Sequence, residues 1–247
     1  MTPINIFDNE NQVKHLLEKS IMNLYDGKTE LNILEAGCGR TWTLNLSNIK
    51  YKLIGVDLDE EALQSRVHEN KDLDEAIVAD LQYFDIGNRK IDVIYNAFVL
   101  EHVENAELML ENFIKILKPG GLLILKLPDR NTVFGFITRI TPFWFQIMYH
   151  KYMMDFKNAG KSGFGPYPTY YNKIVSRHGI QNFCKTHDLI INEEYGFSTY
   201  ASQDNIKNSV KNQLVRIIAK VVNIISMGTL PYKYNDLIYV IHKRPLQ

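Results

Sequence analysis

The sequence lacks an excess of charge of either sign. Its 247 residues include 28 basic and 28 acidic side chains, so the formal net charge at pH 7 is zero. A protein that binds nucleic acid through phosphate groups usually carries a clear basic excess. The balance of charges therefore argues against a nucleic-acid partner.

Cysteines and long apolar runs are also few. Cys38 and Cys184 are too few for a disulfide framework and lack the spacing of a zinc site, which predicts two reduced thiols in a cytoplasmic protein. The apolar stretches 140–149 and 221–232 both contain proline and fall short of the roughly 20 residues that span a bilayer. No basic region with a cleavage site follows Met1, so we expect neither a secretory signal nor a transmembrane segment.

Short apolar runs alternate with stretches of helical spacing along much of the chain. Near-continuous apolar strands between helices are typical of a parallel sheet that is covered on both faces. The sequence therefore predicts an α/β fold, with a Rossmann-like, doubly wound, mostly parallel sheet of seven strands. The predicted strands are 31–36, 52–57, 75–80, 91–95, 122–127, 189–193 and 236–242, and the predicted helices are 9–26, 60–70, 106–117, 173–187 and 206–227.

The alternation stops after the fifth strand. Residues 131–172 hold 12 of the 28 Phe, Tyr and Trp residues, and they follow the carboxyl end of a strand, where open α/β sheets bind ligands. We therefore predict a single domain over 1–247 that contains an aromatic-rich lid and substrate insertion at 129–172. A helical addition at 200–230 is predicted between the last two strands.

A glycine-rich turn follows the first predicted strand. Gly37 and Gly39 allow a sharp bend and a close approach of the backbone to a ligand. Asp57 ends the second strand 20 residues after Gly37, a position that suits hydrogen bonds to ribose hydroxyls. The dinucleotide pattern needs a third glycine where Trp42 stands, so the turn suits a nucleoside without phosphates better. A plain tight turn, with Asp57 capping the next helix, is the alternative.

With these residues the chain resembles the class I S-adenosylmethionine-dependent methyltransferases, and among them the type 11 group of small-molecule enzymes. Segment 35–39 is similar to their first motif, 79–81 to their adenine motif, and 92–103 to the segment that lines the sulfonium. Thr41 departs from the third glycine of many relatives. The resemblance covers about residues 31–127 and implies S-adenosyl-L-methionine as cofactor. The binding residues it implies are Glu35, Gly37, Cys38, Gly39, Asp57, Leu58, Asp80, Leu81 and Asn96, with a loop cap as the alternative role of Asp80.

Three side chains are candidate catalytic residues, because transfer to a hydroxyl needs a proton acceptor. His102 is the first, since it follows the fourth strand near the expected position of the methyl group; packing against the next helix is the alternative. His150 and Tyr170 in the insertion are the others. Glu101 beside His102 resembles a metal site of some quinone-pathway methyltransferases, but Phe98 replaces their upstream acidic ligand, so no metal is predicted.

The favoured function is O-methylation of a small polar metabolite, such as a sugar or surface-glycan precursor. A quinone, isoprenoid or other apolar acceptor is one alternative, and a non-catalytic cofactor-binding regulatory protein is another. Arg130, Arg139, Lys157 and Lys161 offer charge for a phosphorylated acceptor, or are plain surface residues. The sequence leaves the oligomeric state open.

The predicted helix over 206–227 is amphipathic. We expect this helix to pack on the domain or on the lid, and a peripheral contact with a membrane, suited to a lipid-linked acceptor, is the alternative. Its apolar face consists of Ile206, Val210, Leu214, Ile217, Ile218, Val221 and Ile225.

Overall fold

The computed structural model describes residues 3–153, 156–160, 165–198 and 210–245, and a sheet of eight strands lies at its centre. The strand order is β1-β7-β8-β6-β5-β2-β3-β4, and β8 alone among these runs antiparallel to its neighbours. The strands are β1 (Asn5–Phe7), β2 (Leu31–Ala36), β3 (Tyr51–Asp57), β4 (Glu75–Val78), β5 (Ile91–Ala97), β6 (Leu117–Pro128), β7 (Leu189–Phe197) and β8 (Asp236–Lys243).

Helices connect the strands and cover both faces of the sheet. Successive strand residues point to opposite faces, so Ile33 packs in one apolar cluster with α1 and Leu34 packs in the other with α3 and α6. The α-helices are α1 (Glu10–Leu24), α2 (Glu60–Ser65), α3 (Ala106–Ile116), α4 (Val133–Ile140), α5 (Phe143–Met153), α6 (Arg177–Thr186) and α7 (Val210–Ile225). A π-helical turn, Arg66–Asn70, extends α2, and a 3-10 turn spans Leu100–His102.

The predicted doubly wound α/β fold is confirmed, and two of the differences in its elements have a clear physical reason. The sheet has eight strands instead of seven, because β1, a three-residue strand too short to show a period, pairs with β7. The helix predicted over 173–187 begins at Arg177, since the Ser176 hydroxyl caps it by accepting from the Gly179 amide at 3.0 Å.

Two helices, α4 and α5, occupy the first part of the aromatic-rich segment after β6. Thr132 caps α4, its hydroxyl accepting from the amide of Gly135 at 3.1 Å. Residues 161–164, including the predicted charge of Lys161, lie outside the described residues. The division of the chain into a domain with a lid stays a prediction.

The amphipathic helix packs on the protein as expected, but it does so through a different side from its predicted apolar face. Residues 206–209 lie outside the described part of the chain, but α7 is present and packs beside α4. Its narrow inner face centres on Ala219, which is 2% exposed, while Ile217 on the predicted apolar face is 59% exposed. The side of α7 that carries Ala219 thus packs on the protein, and the side that carries Ile217 faces solvent. Of the helices in the described ranges, none is long and apolar enough to cross a membrane.

Candidate cofactor and acceptor site

The turn after β2 is shaped by its two glycines. Gly37 and Gly39 have φ angles of +73° and +52°, which glycine adopts readily. A Cβ on Gly37 would lie 2.2 Å from the nearest methyl carbon of Val99, so no larger residue fits there. A Cβ on Gly39 would meet nothing within 4 Å, which shows that this side of the turn is open.

Asp57 at the end of β3 fixes the same turn. Its carboxylate accepts from the amide of Gly39 at 2.8 Å and from the amide of Asp59 at 2.9 Å. A carboxylate has about four acceptor sites, so this half-buried group keeps capacity for two hydroxyl donors. The alternative role of capping the next helix falls to Asp59, whose carboxylate accepts from the amide of Ala62 at 3.0 Å.

The predicted adenine motif follows β4. The Asp80 carboxylate accepts from the amide of Gln82 at 2.8 Å and from its side chain at 3.1 Å, so the loop-cap role is present. The side chain of Leu81 is buried in the core, whereas that of Leu58, after Asp57, is 71% exposed. Cofactor contacts of Asp80, Leu81 and Leu58 stay predictions.

A buried arginine that the sequence did not single out supports the turn from below. Arg66 has no exposed surface, and its guanidinium bonds the Glu35 carboxylate at 2.8 Å, the Cys38 carbonyl at 2.9 Å and Asp72 at 2.7 Å. Burial raises the pKa of Glu35 to about 7 against the opposing charge of Arg66. Burial also raises the pKa of the Cys38 thiol to about 12. The side chains of Glu35 and Cys38 thus lie beneath the turn, and their contacts with the cofactor stay predictions.

Asn96 near the end of β5 carries an unsatisfied acceptor. Its side-chain amide donates to the carbonyl of Ala36 at 2.8 Å, which ties β5 to β2. Its side-chain oxygen is buried and has no hydrogen-bond partner among the described residues. A buried acceptor without a hydrogen bond costs about 1–3 kcal/mol of stability. A ligand with a donor group at this position would form the missing bond and remove that cost.

His102, in the 3-10 turn after β5, is held in one orientation. Its Nδ1 lies 2.8 Å from the carbonyl oxygen of Pro168. A carbonyl only accepts, so Nδ1 carries the hydrogen and Nε2 of the neutral ring is a free base. Burial lowers the pKa of His102 below its ordinary value of 6.5, against the effect of the Pro168 bond. The ring is therefore neutral at pH 7.

Glu101 is buried next to this histidine. It is 4% exposed, and one carboxyl oxygen has no partner within the described ranges. Burial raises the pKa of Glu101 to about 8, so the group is mostly an uncharged acid at pH 7. Its other oxygen lies 3.8 Å from Nε2 of His102, too far for a hydrogen bond.

The segment 165–171 crosses the carboxyl edge of the sheet. Tyr167 packs edge-on against His102 at 5.8 Å, and the amide of Tyr170 donates to the carbonyl of Glu101 at 2.8 Å. Burial and the charges of Asp59 and Asp57 raise the pKa of Tyr167. Sequence reasoning missed Tyr167, because only tertiary structure separates it from the other aromatic residues of this segment.

A cavity of about 410 Å³ lies beside the segment. Arg130 and Arg139 both line it. Burial lowers the pKa of Arg130, and the charge of Arg139 lowers it further. Neither guanidinium forms an ion pair among the residues the structure describes, although the charge of Asp129 partly offsets the lowering of the pKa of Arg130. The lining residues are Arg130, Thr138, Arg139, Thr141, Phe143, Gln146, Pro168, Thr169, Tyr170 and Tyr171.

Two of the predicted catalytic residues, His102 and Tyr170, are linked through the 165–171 segment. The bonds of this segment join His102 to the loop that contains Tyr170. His150 lies on α5, and its ring packs near those of Tyr149 and Phe156, each at 6.1 Å. These contacts do not support a catalytic role for His150, which stays a prediction. In the described part of the chain, no three His, Cys, Asp or Glu side chains are grouped to hold a metal ion.

The sheet, the open two-glycine turn and the strand-end aspartate define a class I nucleoside-binding methyltransferase fold. A family model described as a methyltransferase domain matches residues 10–190. The chain therefore belongs to this family, the class I S-adenosylmethionine-dependent methyltransferases. The predicted cofactor, S-adenosylmethionine, is confirmed.

The relatives agree with this assignment. A probable S-adenosylmethionine-dependent methyltransferase of Mycobacterium tuberculosis is 31% identical over 117 residues, 47% of this chain and 42% of the relative. A ubiquinone biosynthesis O-methyltransferase of Rickettsia bellii is 27% identical over 131 residues, 50% of this chain and 52% of the relative. The chain thus spans about half the length of the curated relatives it matches.

A solved structure shows the same fold. The N-methyltransferase NodS of Bradyrhizobium japonicum, in complex with S-adenosyl-L-homocysteine, aligns with a TM-score of 0.52. The alignment covers 94% of this chain and 87% of NodS at 15% identity, so the likeness concerns the fold alone.

Proposed function

We propose that this protein transfers a methyl group from S-adenosylmethionine to a hydroxyl oxygen of a small polar metabolite, such as a sugar or surface-glycan precursor. The observation that carries the proposal is His102, whose ring is held by Pro168 with a neutral Nε2 left to accept a proton. The ring packs edge-on against that of Tyr167.

The residues present fit the cofactor. Asp57 retains acceptor sites for the two ribose hydroxyls, the Gly39 side of the turn is open, and Asn96 offers an unsatisfied oxygen to a donor. The bound cofactor supplies a methyl group already activated on a sulfonium.

The acceptor is then prepared by the chain itself. Nε2 of His102 accepts the proton of the acceptor hydroxyl while the oxygen of that hydroxyl receives the methyl group. Tyr167 packs against the histidine ring, and the carbonyl of Pro168 holds that ring in its orientation.

The cavity favours a polar acceptor over an apolar one. Two arginines, three threonines and a glutamine line it, whereas the neighbouring rings of Trp144 and Tyr152 on α5 are 65% and 73% exposed. The paired charges of Arg130 and Arg139 suit an acceptor that carries a phosphate or carboxylate group. A quinone would gain little from these groups.

The test is methyl transfer from labelled S-adenosylmethionine to a panel of sugars, phosphosugars and phenols. We expect transfer to a polar acceptor, with the largest turnover for an anionic sugar. Arg130→Gln and Arg139→Gln should each raise the acceptor KM about 10-fold and leave cofactor affinity unchanged. Turnover of phenols or quinols alone would favour the apolar alternative. Cofactor binding without transfer to any compound would favour a regulatory protein.

The role of His102 has its own test. His102→Ala should lower kcat about 100-fold and abolish the rise of activity with pH through a pKa below 6.5. His178→Ala, which removes an exposed histidine on α6, is the matched control and should change neither. An unaltered rate for His102→Ala at every pH would exclude it as the base.

A further inference from the structure

The outer face of α7 is an apolar surface without a partner in the described structure. Its residues recur every three or four positions, so they form one stripe along the helix. Exposed fractions run from 47% at Ile218 to 74% at Ile225. We call this stripe the α7 face; it consists of Leu214, Ile217, Ile218, Val221, Ile224 and Ile225.

The α7 face is not needed to hold the helix in place. The helix packs through the opposite side, where Ala219 is 2% exposed, and Asn223 donates from its side chain to the carbonyl of Leu230 at 2.7 Å. Contiguous exposed apolar patches on this scale mark interaction sites more often than plain surface.

The charge around the α7 face has one sign. Residues 205–235 contain no Asp or Glu but five Lys or Arg, although the whole chain is neutral. Lys220 is exposed on α7 itself. The neighbouring α4 lies in a second stretch, 130–154, that is also free of acidic residues and contains Arg139. Among the described residues from 213 to 235, Lys220 and Lys233 are exposed cations and none is acidic.

From this combination we propose that α7 docks the protein on an anionic lipid membrane. An amphipathic helix that lies in the membrane interface buries its apolar face and places cations among anionic headgroups. A second copy of the chain is a poorer occupant, because a symmetric pairing would bring the same cations together. The inference concerns α7 and does not depend on the identity of the acceptor.

The experiment is co-sedimentation of the full chain with phosphatidylcholine vesicles, with and without about one third phosphatidylglycerol. We expect at least about 10-fold stronger partitioning onto the anionic vesicles, and a loss of that difference in high salt. Ile217→Ser with Ile224→Ser should weaken partitioning more than about 10-fold, and Lys220→Glu should weaken it about 10-fold on anionic vesicles alone.

The matched control is Ile190→Ser on β7, which removes an apolar side chain that is 41% exposed but lies away from α7. It should partition like the unaltered protein, and thermal melts should show that all variants are folded. Absence of binding to anionic vesicles, or equal binding by the α7 double variant, would overturn the proposal. So would a dimer in sedimentation equilibrium that the double variant dissociates, since the face would then join two copies.

Discussion

The cofactor turn and the α4–α5–α7 region differ in burial: the turn rests on buried, hydrogen-bonded groups, whereas the helical region exposes large apolar side chains. At the turn, Asp57 holds the amide of Gly39 and Arg66 holds the carbonyl of Cys38, and the side chains beneath it are buried. In the helical region, large apolar side chains such as Ile224 and Trp144 are 65% exposed. We expect the cofactor to require one fixed geometry, whereas the proposed membrane contact uses surface that the fold does not need for stability. The four predictions below test that contrast.

The largest effect is expected at Arg66. Arg66→Met leaves Glu35 buried without its partner, and breaking a buried ion pair from one side costs about 3–5 kcal/mol. Glu35→Met combined with Arg66→Met should recover most of the loss, because it removes both charges. Urea unfolding at pH 7 measures the two variants. A loss below about 1 kcal/mol in the single variant would show that the turn does not depend on this pair.

Arg66 also shows where sequence reasoning stops. Gly37, Gly39 and Asp57 could be predicted because their spacing along the chain reports the local turn and the strand end. Arg66 lies 31 residues from Glu35, and no local pattern tells that its side chain reaches back beneath the turn. The π-helical turn that begins at Arg66 was likewise hidden inside an ordinary helical pattern.

The second prediction concerns the cofactor contact itself. Asp57→Ala should lower the affinity for S-adenosylhomocysteine about 100-fold in calorimetry, since it removes charged hydrogen bonds to ribose and the acceptor of the Gly39 amide. Asp59→Ala is the control: it removes the α2 cap, at about 1 kcal/mol of stability, and should leave affinity within a few-fold. Affinity within threefold of the unaltered protein in Asp57→Ala would contradict the assigned role.

The third prediction concerns the pH dependence of stability that the buried carboxyl group of Glu101 produces. Because the fold raises the pKa of Glu101 from 4.5 to about 8, its contribution to stability is complete below pH 4.5 and is lost as pH rises from there to 8. Glu101→Gln cannot ionise, so between pH 5 and pH 6.5 it should lose about 2 kcal/mol less stability than the unaltered protein. The raised pKa of Glu35 acts in both proteins and cancels. Parallel stability curves would show that Glu101 is ionised or solvated in the fold.

The sequence pattern of α7 predicts a helix with one apolar face, but it does not predict what that face contacts. The spacing of Leu214, Ile217 and Ile218 correctly indicated one apolar face of a helix. Periodicity tells which side chains share a face, but it does not tell whether that face meets the core or the solvent. Burial in the core is the common outcome, and here Ala219 on the other side provides the close packing. The eighth strand was missed because three residues carry no period at all.

The smallest effect is expected on α7, and it sharpens the contrast most directly. Ile224→Ser removes an apolar side chain that is 65% exposed, so the free energy of unfolding should change by less than about 0.5 kcal/mol. Ile124→Ala in β6, whose side chain is fully buried, should cost about 2–5 kcal/mol. Both are measured by urea unfolding without lipid. A cost above 1 kcal/mol for Ile224→Ser would mean that the stripe packs against the protein in solution, and it would remove the basis for a docking surface.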